Sequence, residues 1–254
     1  GRMDGGAPIQ LALVFLLSNL IPAIVFTPLL PLCDAALKKF YPSDPSDKPH
    51  CPKYLTNQAL ADPESALDLI PKELARLFAS VNLSKVRGVG EGDPDESTSF
   101  AMLASAIESF CVRLAAENPL TAAQSQRLQR LRAWLHTIRY IGEAVGGLAV
   151  SRMALPPGPD ACSSGLISWI ARNIALGAEA TSSMDAEKIQ AFFESSKQKG
   201  SDVREMRRNF LANCGAFSPS GTLDMSSMVD AFDISAWLIH RLSKLQMQAI
   251  GQVV

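Results

Sequence analysis

Residues 9–32, from Ile9 through Leu32, carry no charged side chain, and a run of this length constrains the chain more than any other feature. About 20 helical residues at about 1.5 Å each match the roughly 30 Å hydrocarbon core of a bilayer, so the run reads as a membrane-spanning helix. A secretory signal is the competing reading. Its apolar region is shorter and ends at a small-residue cleavage site, whereas Pro28, Pro31 and Asp34 follow here.

The flanks suggest an orientation. Lys38, Lys39, Lys48 and Lys53 lie beyond the run and Arg2 alone lies before it, a bias that favours a cytoplasmic C-terminal part. Asn19 and Pro22 sit inside the run. Asn19 reads either as a polar contact to a neighbouring membrane helix or as a tolerated polar residue, and Pro22 as a kink that neighbouring helices compensate. Both are candidates for packing against membrane helices that this chain does not contain.

The remainder of the 254 residues is polar enough to be soluble and long enough for one or two domains. A formal net charge of −1 gives no sign of a nucleic-acid partner. The five cysteines are scattered and odd in number, a pattern of reduced thiols rather than a disulfide framework. None of the three histidines lies within ligand spacing of a cysteine or of another histidine, so zinc is not expected, nor is any other cofactor.

Organisation follows from the prolines and from apolar periodicity. Residues 42–62, with Pro42, Pro45, Pro49 and Pro52, read as an extended linker. Asp62-Pro63-Glu64 is an N-cap with proline at the first helical position, and Leu67, Ile70, Leu74, Leu77, Phe78 and Val81 then recur at helical steps, with Pro71 as an interior blemish. A glycine-rich loop ends at Asp95 or Ser97 as cap, a second helix stops before Asn118-Pro119, and Thr121 caps a long third helix through Leu128, Leu135 and Leu148. Pro156-Pro157-Gly158-Pro159 marks a boundary, after which three more helices follow, the fifth covering roughly 184–213 with an interruption at Gly200-Ser201. The expectation is an all-α chain: a terminal segment (1–41), a linker (42–62) and two three-helix bundles (63–155 and 160–250).

Several strings resemble the C-terminal end of the bacterial sodium/phosphate cotransporter family that carries a cytoplasmic PhoU-like domain. They are Asn19-Leu20-Ile21, Thr27-Pro28-Leu29-Leu30-Pro31, Pro52-Lys53-Tyr54-Leu55, Glu117-Asn118-Pro119-Leu120-Thr121 and Tyr140-Ile141-Gly142-Glu143, in that order. The resemblance implies a PhoU-like tandem of bundles serving as a regulatory or structural appendage of a sodium-dependent phosphate transporter. Its transport core, with the hairpins that handle phosphate and sodium, would lie upstream, and the chain reads as a fragment. The implied location is the bacterial inner membrane, and the implied partners are the lipid bilayer and the upstream membrane helices, with a homo-oligomer as a further option. Metal binding in such domains uses a glutamate and an aspartate one helical turn apart. Here Arg139 stands four residues before Glu143, so Glu143 is left as a weak metal candidate beside the plainer reading of a solvated or Arg139-paired residue.

No catalytic arrangement emerges, and an enzyme is not expected. Ser163-Ser164-Gly165 and Ser226-Ser227 lack a strand-turn-helix setting, and Gly88-Val89-Gly90-Glu91-Gly92 lacks the strand that a dinucleotide site needs. His240 reads as an edge-of-core residue, Trp134, Trp169 and Trp237 as core or interface residues, and Arg204, Arg207 and Arg208 as a solvated basic face. The alternative to the transporter reading is a membrane-anchored helical adaptor that binds a protein partner through an exposed bundle face.

Overall fold

The computed structural model describes Phe15, residues 51–81, 94–153 and 160–197, Arg208, and residues 219–251. Among them are six α-helices and no strand, as the 3.6-residue periodicity implies. The helices are α1 (Pro63–Ala79), α2 (Pro94–Glu117), α3 (Ala122–Met153), α4 (Asp160–Ser183), α5 (Ala186–Lys197) and α6 (Pro219–Gly251), preceded by a 3-10 turn at Asn57–Ala61. Asn19 and Pro22, the packing candidates of the uncharged run, lie outside the described residues. So do the glycine-rich loop, the proline cluster at 156–159, and the expected fifth helix beyond Lys197 apart from Arg208. One described segment, Thr98–Glu117 of α2, is long and apolar enough to cross a membrane. Its Leu103, Ile107, Phe110 and Leu114 are nevertheless in the protein core.

Local chemistry sets the helix ends. The Asp62 carboxylate accepts the Glu64 N–H at 3.2 Å and Pro63 opens α1. Thr121 and Gln124 form a reciprocal capping pair, with the Gln124 N–H donating to Thr121 Oγ1 at 3.2 Å and the Thr121 N–H donating to Gln124 Oε1 at 3.0 Å. Met184, at φ 54°, makes the left-handed turn out of α4, and Asp185 then accepts the Glu187 N–H to start α5. The expected cap of α2 differs: the helix begins at Pro94, so Asp95 and Ser97 fall inside its first turn.

Contacts between helices give their directions. Arg127 of α3 reaches Glu64 and Asp68 of α1, both near their helix starts, while Arg139 of α3 reaches Glu108 of α2. Thus α1 and α3 run parallel with α2 reversed. In the second trio Trp169 meets Phe232 and Thr181 meets Gln246, so α4 and α6 run parallel, and α5 runs back between them with Ser196 against His240.

The two trios are not separate bundles, and this corrects the division expected at the proline cluster. Lys48–Val254 is one compact unit with a single continuous core. The broadest packing joins α3 to α6 and α1 to α4, across the expected boundary. Gly177 of α4 shows how closely: a Cβ there would meet Phe78 of α1 at 2.5 Å and Phe192 of α5 at 2.7 Å. Those two rings meet edge to face, 6.5 Å apart. Each trio hides only part of its apolar surface by itself, and the other trio hides the rest.

The linker is also corrected at its end. Leu55 and Leu60 are buried in the core, and Asn118 donates to the Leu60 carbonyl at 3.0 Å. A fully buried Glu73 on α1 accepts the N–H groups of Lys53 and Tyr54, each at 2.9 Å, and pairs with Arg76, whose other nitrogen donates to the Cys51 carbonyl. Residues 51–61 are therefore docked on the bundle and are not an extended spacer.

Candidate interaction surfaces

Glu143, the weak metal candidate, stands apart from other ligand side chains. Glu143 is exposed, and Arg139 turns away from it to Glu108 at 3.0 Å, with His136 Nε2 3.9 Å from the same carboxylate. Among the described residues no group of three or more His, Cys, Asp or Glu side chains converges to hold an ion. Gly142, from the same string, serves packing: Phe100 stands where its Cβ would be, 2.6 Å away.

A polar seam that sequence reading missed runs between α4, α5 and α6. Ser196 Oγ lies 3.0 Å from His240 Nδ1, 2.8 Å from Ser243 Oγ and 2.8 Å from the Phe193 carbonyl, and the Phe193 ring stacks on the His240 imidazole at 5.5 Å. Further along, Gln246 Nε2 donates to Thr181 Oγ1 at 2.7 Å, and that hydroxyl donates to the Gly177 carbonyl. A serine 3.0 Å from a histidine has the spacing of a nucleophile and base. Ser196 is wholly buried, however, so no substrate carbonyl reaches its oxygen. The seam instead fixes the register of α5 on α6, because sliding either helix by one turn would strand buried hydroxyls without partners.

Two outward features remain. The first is a shallow groove of about 580 Å³ beside the seam, floored by Ala186, Ala191, Met247 and Ile250 and edged by Glu187, Gln190 and Glu194. The small side chains of α5 open it, and the two carboxylates, seven residues apart, lie along one rim. The second is a ridge on α6. Asp230, Ile234, Trp237, Arg241, Lys244 and Gln248 are all exposed and recur every three to four residues, opposite the buried Phe232, Ala236, Ile239, Leu242 and Gln246.

The tryptophans divide accordingly. Trp134 and Trp169 are buried as expected, and Trp237 is 52% exposed with the Arg241 guanidinium 5.4 Å over its ring. The helical spacing from Phe232 carried the signal for this outward position. No family model, curated protein or solved structure matches the chain.

Proposed function

We propose that the chain is a non-catalytic, membrane-tethered helical adaptor, and that a helix of a protein partner lies in the groove between α5 and α6. The groove carries this reading. An apolar floor of alanine, methionine and isoleucine accepts the ridge of an amphipathic helix, and the rim carboxylate of Glu187 favours a basic residue beside that ridge, Glu194 being already met by Lys197 at 4.0 Å. The tether rests on the uncharged run at 9–32. A photo-crosslinking residue at position 190 of the full chain in its native membrane is expected to give a discrete adduct, and Ala191→Arg to remove it by filling and charging the groove. The same adduct from a crosslinker at the exposed Gln126 would end this reading.

A second reading is the regulatory appendage of a sodium-dependent phosphate transporter, implied by the ordered strings. It is favoured by the duplicated trio, each with parallel outer helices and a reversed middle one. The strings themselves have folding roles: Lys53 and Tyr54 serve the Glu73 clasp, Thr121 caps α3, and Gly142 admits Phe100. Sodium-driven uptake of labelled phosphate by membranes carrying the intact gene product would select this reading, and its absence would remove it.

A further inference from the structure

A second face of α6, pointing away from the core and distinct from the groove, carries a further conclusion, which rests on the membrane tether proposed above and not on the groove. Ile234 and Trp237 are 54% and 52% exposed on one ridge, followed on the same ridge by Arg241 and Lys244. Arg113, Arg127, Arg139, Lys188 and Lys197 pair with carboxylates, while among the described residues the exposed Lys72 and Arg172 do not and have no exposed aromatic beside them on a ridge of this kind. Arg241 and Lys244 pair with none among the described residues, and Arg241 lies over the indole instead. An apolar step followed by unneutralised cations is the profile of a surface that meets a sheet of negative charge at an apolar boundary.

We propose that the α6 ridge seats the bundle on an anionic lipid surface, with Trp237 at headgroup level and Arg241 and Lys244 against lipid phosphates. An indole suits that layer because its ring is apolar and its N–H is polar. Asp230 occupies the same ridge one turn before Ile234, so contact involves the later part of the helix and the acidic end stands off the surface. The uncharged run of the same chain raises the local concentration of bilayer around the bundle, so a weak ridge suffices. Proteins also dock on exposed tryptophan and arginine. The unpaired cations and the tether favour lipid.

Three tryptophans make the test direct, because Trp134 and Trp169 are buried and Trp237 alone is open to an aqueous quencher. The full chain is reconstituted in phosphatidylcholine vesicles with and without 30% phosphatidylserine, and the iodide-quenchable emission is assigned by Trp237→Phe. With anionic lipid this emission should be shielded from iodide and quenched by shallow nitroxide lipids. With phosphatidylcholine alone it should stay open to iodide. Arg241→Gln with Lys244→Gln should weaken the shielding by roughly 30-fold in effective partitioning, while Ala191→Arg should leave it unchanged even if the groove reading fails. Equal iodide access in both vesicle types would overturn the proposal. So would shielding in detergent that grows with protein concentration, which would assign the ridge to a second copy of the chain.

Discussion

The main-chain N–H of Tyr54 donates to Oε2 of Glu73 at 2.9 Å, and Glu73 has no solvent exposure. With Lys53 N–H on the same oxygen and Arg76 on the other, the carboxylate is fully partnered, which is the condition for keeping a charge inside a core. The clasp holds the segment from Cys51 to Tyr54 against α1.

Glu73→Gln removes the charge and puts an NH2 group where one carboxylate oxygen stood, so either Arg76 or the Lys53 and Tyr54 amides lose their acceptor. The expected loss is about 3 kcal/mol, read as a lower urea midpoint, together with faster tryptic cleavage at Lys53. An unchanged midpoint would show that the clasp is not a stabilising contact.

Gly177→Ala places a methyl group 2.5 Å from Phe78 and 2.7 Å from Phe192. Both rings are fully buried, so the strain should cost about 1 to 3 kcal/mol. Gly146, on an exposed stretch of α3 with nothing within 4 Å of a Cβ, gives the contrast, and Gly146→Ala should stabilise by about 0.5 to 1 kcal/mol. Melting temperatures moving in opposite directions are the expected outcome.

Leu135 is 1% exposed in the middle of α3, and Leu135→Ala should cost about 2 to 5 kcal/mol. Gln126 is exposed on the same helix, and Gln126→Ala should change stability by less than ~0.5 kcal/mol. Equal denaturation midpoints would mean that the buried face of α3 is misassigned.

Burial pushes the Cys111 thiol up to about 12, whereas Cys51 is partly exposed. Only the thiolate alkylates, so mass-spectrometric mapping should find Cys51 modified first and Cys111 modified only in denaturant. The sign for stability follows from the raised value. The thiol's contribution is fully present below its ordinary 9.0 and is lost as the pH climbs towards 12.

Helix content, the Asp62 and Thr121 caps and the apolar stripes were legible because each is a local matter of spacing and a few neighbouring residues. The merging of the trios was not, since a stripe records that a face is buried and does not record which helix buries it. Glu73 did leave a trace. It lies on the same arc of α1 as Ala66 and Leu77, where an acidic residue signals a buried partner, but the partner amides are about twenty residues away and carry no side-chain signature. Trp237 was misread by residue type: aromatic rings are usually buried, yet its position opposite Phe232 on α6 already pointed outward. The seam around Ser196 and His240 depends on the register of α5 on α6, which no local pattern encodes.

The pairing of α1 with α4 and of α3 with α6 also has a temporal consequence. During synthesis the first three helices emerge with apolar faces whose partners do not yet exist, and the longest of these, α3, waits for α6, which begins only at Pro219. Vectorial folding of the first three helices alone is therefore closed to this protein, and its nascent form presents sticky surface until α6 has left the ribosome. A ribosome-stalled chain ending near residue 200 should remain protease-sensitive throughout α3, and the released full-length chain should not.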